Sequence, residues 1–278
     1  MTGDIEAVAF DCYGTLIDFT DAAFARAYGV ICAEQGLDVS GEVFYDKWME
    51  VWRRLVRGES ADVPDGVAVA DIPGPLSEAE VVPEHPRHHT PSAGRHRGLD
   101  GPAPEFRTYR QEWTEHFALC FEELGLEGDA EAAHERLREL LAQGRAYSDA
   151  RRTVETIARR LPTALLSNAD DDFLYPCLRR NGLTFPVVVT SESAGAYKPH
   201  ISIFRKLSQE IGLQPSRILY VGDSRLADVT GARHAGLQAA WMNRNGATNE
   251  WSAAGRELLE PDYEIATLDD LLGILGLA

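Results

Sequence analysis

Several polar side chains that could do chemistry lie close to short apolar runs of the sequence. Asp11 follows the run AVAF and precedes the glycine turn YGT. A carboxylate in this position can act as a nucleophile or bind a cation, although turns and helix caps also use aspartate. Asp11 and Asp223 are 212 positions apart, so only the fold can bring them together. The further candidates are Ser167, Asn168, Lys198, Asp223 and Asp228.

Short apolar runs alternate with helical stretches along the chain, which predicts β-α-β units and a parallel sheet. Ligands of open parallel sheets bind beyond the carboxyl ends of the strands, so we expect the candidate residues to meet in one crevice there. The helices are expected at about 20–34, 129–143, 172–180, 201–211 and 226–235. The strands are expected at Val8–Phe10, Thr163–Leu166, Pro186–Val189, Ile218–Val221 and Gln238–Met242.

Between the first two strands, apolar residues recur at helical spacing, which predicts an inserted helical domain, here called the cap. The expected fold is therefore α/β, a Rossmann-like parallel sheet core at residues 1–20 and 146–278 with the cap at residues 21–145. Within the cap, residues 58–105 hold 8 of the 14 prolines and no aromatic residue. This composition predicts an irregular loop.

The charge balance excludes several classes of partner. The chain carries 27 Lys and Arg against 44 Asp and Glu, a formal net charge of −17. Nucleic-acid binding needs a basic face, and an anionic membrane surface attracts basic segments, so neither partner is expected. The first residues lack the pattern of a secretory signal, and no apolar run could span a membrane, which predicts a cytoplasmic protein with a small-molecule substrate.

Lys198 stands out because the chain uses arginine almost everywhere else. The three lysines of the sequence are Lys47, Lys198 and Lys206. A lysine before Pro199 therefore indicates a place where a compact ammonium is needed rather than a planar guanidinium. Beside Asp11 it would offset the charge of the carboxylate and of a bound anion.

Four ordered motifs resemble those of the haloacid dehalogenase superfamily. They are the loop FDCYGTL around Asp11, Ser167-Asn168 at a strand end, Lys198-Pro199, and the acidic loop GDSRLAD at 222–228. The resemblance implies that Asp11 is the nucleophile and that Lys198 and Tyr13 belong to the catalytic site. It also implies that Gly14, Thr15, Ser167 and Asn168 bind substrate. The implied ligands of Mg²⁺ are Asp11, the backbone carbonyl of Tyr13, Asp223 and Asp228.

Position 13 separates two reactions of this superfamily. Its phosphatases usually have a second aspartate two residues after the nucleophile, which protonates the leaving oxygen. Here Tyr13 takes that place, as in the metal-independent 2-haloacid dehalogenases, where halide leaves without an acid. The group that would replace the missing acid stays open, with Asp18, Glu50 and His116 as candidates.

Asp223 favours phosphoryl transfer. Similar dehalogenases carry serine there, asparagine where this chain has Arg225, and tyrosine where it has Phe204. Two carboxylates in one acidic loop repel each other unless a cation is present, and a further carboxylate would repel a haloacid. We therefore expect a Mg²⁺-dependent phosphatase that forms an aspartyl-phosphate. A 2-haloacid dehalogenase and a non-catalytic protein that binds a phosphorylated ligand are the alternatives.

The cap aromatics bear on the substrate. Nine of the 24 aromatic residues lie in two predicted cap helices: Phe44, Tyr45, Trp48, Trp52, Phe106, Tyr109, Trp113, Phe117 and Phe121. Their plainer interpretation is a core within the cap. The sharper hypothesis is that some of them stack on a flat ring, such as that of FMN or a nucleotide. A homodimer is an open alternative to a monomer.

Overall fold

The computed structural model describes residues 5–57, 99–102, 105–246 and 258–277. Most of the predicted loop at 58–105 lies outside these residues. The described strands are β1 (Ala7–Phe10), β2 (Ile17–Asp18), β3 (Arg145–Ala146), β4 (Thr163–Ser167), β5 (Val187–Thr190), β6 (Ile218–Gly222), β7 (Gln238–Met242) and β8 (Tyr263–Ile265). The described helices are α1 (Asp21–Glu34), α2 (Gly41–Arg57), α3 (Tyr109–Glu123), α4 (Ala130–Ala142), α5 (Ala150–Ala158), α6 (Asp171–Arg180), α7 (Ser191–Ala194), α8 (Ile201–Ile211), α9 (Gly231–His234) and α10 (Asp270–Ile274).

Six strands form one sheet in the order β5-β4-β1-β6-β7-β8, and every neighbouring pair runs parallel. The predicted parallel sheet is confirmed. Strands β1 and β6 are apolar along their whole length and fully buried, as expected for strands covered on both faces. The chain winds to one side of β1 through β4 and β5 and to the other through β6 to β8, so a crevice opens beyond the carboxyl ends of β1, β4 and β6.

The predicted helices agree with the structure except after β6. The helix expected at 226–235 is a π-helical turn at Arg225–Thr230 followed by the short α9. The Ser224 hydroxyl accepts the backbone N–H of Ala227, and the Thr230 hydroxyl donates to the carbonyl of Arg225. These side-chain hydrogen bonds satisfy backbone groups of the wider turn, which also keeps Asp228 next to β6.

Helices α1 to α4 pack against one another around aromatic rings. The rings of Tyr28, Phe44, Trp48 and Phe117 lie 4.9 to 5.8 Å apart, and all four side chains are buried. For Phe44, Trp48 and Phe117 the structure therefore supports the plainer interpretation, a core of their own. Tyr109 and Trp113, from the same set of nine aromatics, line a cavity instead. None of the described helices is both long and apolar enough to cross a membrane.

A short antiparallel pair lies where the chain passes between the sheet and this group of helices. Strand β2 pairs with β3 through Ile17 with Ala146 and Asp18 with Arg145. The two passages of the chain thus run side by side, close to the predicted boundaries at residues 20 and 146. The division into core and cap stays a prediction, and the pair is where it would hinge.

Candidate active site

Lys198 forms the centre of a buried charged cluster. Its ammonium lies 2.6 Å from Asp11 Oδ1 and 2.6 Å from Asp228 Oδ1, and it donates to the Tyr220 hydroxyl at 2.9 Å. The three charged side chains are almost completely buried. Burial alone would lower the pKa of Lys198, but the charges of Asp11 and Asp228 reverse that effect and raise it above its ordinary value. Lys198 is therefore a fixed cation.

Asp228 folds back against the end of β6. Its Oδ2 accepts the backbone N–H of Ser224 at 2.9 Å while Oδ1 faces Lys198. A Cβ atom on Gly222 would lie 2.3 Å from the carboxyl carbon of Asp228, so only glycine allows this approach. Gly222 in the fourth motif thus leaves the space that Asp228 of the same motif occupies.

Asp223 brings a third carboxylate to the same place. One carboxylate oxygen accepts the Thr15 hydroxyl at 3.4 Å, and its backbone carbonyl accepts the indole N–H of Trp241 at 2.9 Å. Asp11, Asp223 and Asp228 are all buried, and each offers an oxygen within 4.8 Å of the others. Three hard oxygen donors so close together fit a divalent cation such as Mg²⁺.

The loop after β1 presents Asp11 at the edge of the sheet. The backbone N–H of Asp11 donates to the carbonyl of Val221, which ties the loop to β6. Gly14 has φ of +87°, the left-handed conformation that the turn requires. The Tyr13 hydroxyl donates to the carbonyl of Leu141 in α4 at 3.4 Å. Burial is the largest cause that raises the pKa of Tyr13 well above 10, and the nearby Cys12 and Cys177 raise it further. The Tyr13 side chain is therefore a fixed part of the wall around the site.

The loop after β4 supplies Ser167 and Asn168. Ser167 is buried and lines the cavity beside Asp11. The amide oxygen of Asn168 accepts the backbone N–H of Lys198 at 2.8 Å, and its nitrogen donates to the Lys198 carbonyl at 3.2 Å. Asn168, predicted to bind substrate, thus holds the backbone of Lys198, a role that the sequence did not indicate.

Two residues that the sequence analysis did not select also touch this cluster. The Tyr220 hydroxyl contacts Lys198 and donates to the carbonyl of Leu166 at 2.9 Å. Arg244 donates to the carbonyl of Thr15 at 3.2 Å, pairs with Asp149 and stacks over the ring of Tyr147. In the sequence Tyr220 is one more apolar strand residue, and Arg244 is one of many arginines, so only their packing reveals them.

A cavity of about 50 Å³ opens onto these residues. Its polar wall consists of Asp11, Ser167, Asn168, Lys198, Ser224 and Asp228. Its apolar wall consists of Tyr13, Phe24, Tyr109, Trp113, Leu141 and Phe173. Residues predicted from all four motifs therefore meet at one cavity, with aromatic rings of α1, α3 and α6 facing the charged groups. Of the predicted site residues, Gly14, Thr15 and Asp223 are not among those that line it. A buried carboxylate held by lysine beside such a space can act as a nucleophile toward a small substrate.

The chain is similar in sequence to a phosphatase and to a dehalogenase. The phosphoglycolate phosphatase of Yersinia pestis is 26% identical over 275 residues, which cover 98% of this chain and 94% of that protein. The (S)-2-haloacid dehalogenase 2 of Pseudomonas sp. strain CBS-3 is 26% identical over 279 residues, which cover 99% and 97%.

A solved structure shares the fold over nearly the whole length. The putative hydrolase YfnB of Bacillus subtilis, whose crystal structure contains magnesium, superposes with a TM-score of 0.69 at 21% identity, covering 98% of this chain and 99% of that one. The family model described as haloacid dehalogenase-like hydrolase matches residues 5–236. The chain is a hydrolase and belongs to the haloacid dehalogenase-like hydrolase family.

Proposed function

We propose that the protein is a Mg²⁺-dependent phosphatase that hydrolyses a small phosphomonoester through an aspartyl-phosphate on Asp11. The observation that carries this proposal is the gathering of Asp11, Asp223 and Asp228 within 4.8 Å of one another. Lys198 offsets one of these three negative charges. A divalent cation would offset the other two, and buried like charges at such distances favour binding one.

The donor set matches the requirements of Mg²⁺, which prefers one or two carboxylates together with water and phosphate oxygens. Asp223 and Asp11 would hold the ion, with the backbone carbonyl of Tyr13 as a further oxygen and Asp228 as a direct or water-mediated ligand. When bound, the ion would draw negative charge from the phosphoryl oxygens and orient them toward the nucleophile.

The reaction would have two steps, attack of Asp11 on phosphorus and hydrolysis of the aspartyl-phosphate. Lys198 holds Asp11 Oδ1, which leaves the carboxylate oriented for in-line attack on phosphorus. Attack forms a bond between an oxygen of Asp11 and phosphorus and breaks the ester bond. The leaving oxygen takes a proton from solvent, and the water of the next step returns one. Water then attacks the same phosphorus and frees Asp11. Ser167 is placed to donate to phosphoryl oxygens, and Thr15 to hold Asp223.

The dehalogenase alternative has two observations in its favour, the tyrosine at position 13 and the similarity to (S)-2-haloacid dehalogenase 2. Two observations weigh against it. The described residues that line the cavity include no arginine, so a haloacid carboxylate would find only Lys198, whose donors already face Asp11, Asp228 and Tyr220. Asp223 adds a negative charge at the same place.

A two-substrate assay tests the proposal. Phosphate release from 2-hydroxyethyl phosphate and halide release from 2-chloropropionate are measured with Mg²⁺ and with EDTA. We expect phosphate release that EDTA abolishes and no halide. Asp11→Asn should lower kcat by at least about 1,000-fold because the nucleophile is lost. The control Asp38→Asn changes an exposed aspartate in the loop after α1 and should leave kcat unchanged.

The outcomes separate the three candidate functions. Halide release that persists in EDTA would identify a dehalogenase. Ligand binding without turnover, and without a covalent phosphoenzyme on rapid quenching, would identify a binding protein. Asp223→Asn should weaken Mg²⁺ binding, measured by calorimetry, by at least about tenfold, since it removes one charged ligand. Unchanged Mg²⁺ affinity in this variant would place the ion elsewhere.

A further inference from the structure

The size of the cavity limits what can leave from the phosphoryl group. At about 50 Å³ it holds the equivalent of only a few water molecules. A phosphoryl group takes up most of this space, and the nucleophile and Lys198 fix where that group must lie. The apolar wall of α1, α3 and α6 therefore leaves room for a few heavy atoms. A flavin or nucleoside ring would have to extend beyond this space.

The charges around the cavity limit the leaving group further. Among the described lining residues, Lys198 is the sole cation, and it donates to Asp11, Asp228 and Tyr220. A carboxylate on the leaving group would face aromatic rings and would lose its water without gaining an ionic partner, which is costly. The lining thus favours an uncharged leaving group.

Trp113 adds a specific requirement. Its ring is 4% exposed and packs against Tyr109, with ring centroids 4.2 Å apart, and against Phe173 at 6.1 Å. These contacts fix the indole in the apolar wall. Its Nε1–H is buried and has no acceptor among the residues that the structure describes. Buried donors without a partner are uncommon and unfavourable, so such a donor in a residue that lines a cavity suits an acceptor on a ligand.

We propose that the substrate is a phosphomonoester with a compact, uncharged leaving group whose oxygen accepts a hydrogen bond from Trp113 Nε1–H. This inference rests on the proposed phosphatase function. It narrows that function from small phosphomonoesters in general to short hydroxylated or carbonyl-bearing esters. It also makes Trp113 a residue that determines specificity through one hydrogen bond.

Two substrates of equal size test the hydrogen bond. 2-Hydroxyethyl phosphate carries a hydroxyl where n-propyl phosphate carries a methyl group. Trp113→Phe keeps an aromatic wall and removes the N–H. We expect this variant to lower kcat/KM for 2-hydroxyethyl phosphate by about tenfold and to change kcat/KM for n-propyl phosphate by less than about twofold. The matched control is Trp48→Phe, in the aromatic core of the cap helices and outside the cavity, which should affect both substrates equally.

Two further substrates test size and charge. Phosphoglycolate has a leaving group of similar length with a carboxylate, and FMN has a large ring system. The wild-type protein should turn over both at least about tenfold less efficiently than 2-hydroxyethyl phosphate. Equal losses on both short substrates in Trp113→Phe, or efficient turnover of phosphoglycolate or FMN, would overturn the inference.

A direct measurement keeps this test independent of catalysis. The ¹H–¹⁵N resonance of the Trp113 indole should shift when 2-hydroxyethyl phosphate binds and shift much less with n-propyl phosphate. If none of these phosphomonoesters is turned over, the proposed function fails. The resonance and the calorimetric affinities of the two short esters then still decide whether Trp113 contacts the ligand oxygen.

Discussion

The ammonium of Lys198 lies between two buried carboxylates, and each of these three groups depends on the others. Taking a charge out of water is costly unless partners surround it. Lys198 has such partners in Asp11, Asp228 and Tyr220. In a chain with three lysines, the residue that the sequence singled out is the one that the fold buries in this cluster.

Replacing Lys198 by glutamine should therefore destabilise the protein. Asp11 and Asp228 would keep their burial and lose their cation, so we expect the free energy of unfolding to fall by about 3–5 kcal/mol. Urea denaturation measures this change. The control Lys206→Gln breaks a half-exposed pair with Glu210 and should cost less than about 1 kcal/mol. Similar losses in both variants would contradict a structural role for the buried cluster.

Tyr13 occupies the position of the acid that the family's phosphatases usually carry, but its hydroxyl donates to the Leu141 carbonyl, and burial raises its pKa. We expect Tyr13→Phe to keep kcat for 2-hydroxyethyl phosphate within about threefold of the wild type. A poor leaving group is the sharpest probe because it needs a proton most. A fall of about 100-fold or more would instead identify Tyr13 as the general acid.

At the scale of elements, Asp170 joins the loop after β4 to the start of α3. Its carboxylate accepts the backbone N–H groups of Tyr109 and Arg110, each at 3.1 Å, which satisfies two donors that a helix start leaves free. Burial, followed by the charges of Glu192 and Asp172, raises the pKa of Asp170 from 3.8 to about 6, although the two N–H groups oppose the shift. The loop after β4 and helix α3 thus share one titrating contact.

The raised pKa of Asp170 predicts a pH dependence of stability. Between pH 4 and 6 the folded protein binds the proton more tightly than the unfolded chain. The stabilisation from this proton is complete below pH 4 and is lost as pH rises through 6. Relative to Asp170→Asn, the wild type should lose about 3 kcal/mol of unfolding free energy over this range, measured by urea denaturation. Parallel curves for the two proteins would refute this, and Asp38→Asn serves as the exposed control.

The sequence predicted the secondary-structure elements better than the side-chain contacts between them. The five predicted strands and the helix at 201–211 are in place because apolar runs and helical periodicity are local signals. The meeting of Asp11, Lys198, Asp223 and Asp228 followed from one rule about the ends of parallel strands. The roles of Tyr220, Asn168 and Asp170 could not be predicted, because each depends on strand register or on a contact with a distant backbone group. Strand β8 and helix α5 were missed as well, because both are short.

At the scale of the whole molecule, the three site aspartates account for only a small part of the acidic surplus. The chain has 44 acidic against 27 basic residues, and the site needs a positive centre to accept a phosphate. The sheet brings Lys198 and the proposed cation site together at the ends of its central strands, which would make the site more positive than the rest of the protein once the cation is bound. Beyond the cavity, the rest of the surplus acts on an approaching substrate as a long-range repulsion.

This repulsion predicts how activity depends on salt. A phosphomonoester dianion must approach a protein with a net charge of −17, and salt shortens the range of that field to about 10 Å at 0.1 M. Raising KCl from 10 to 150 mM at fixed free Mg²⁺ should therefore raise kcat/KM by about two- to tenfold and leave kcat unchanged, because only the encounter is affected. Tetramethylammonium chloride is the control for specific ion effects and should act equally. A kcat/KM that falls with salt would mean that the substrate meets a positive field around the cavity, and that local charges outweigh the net charge at long range as well.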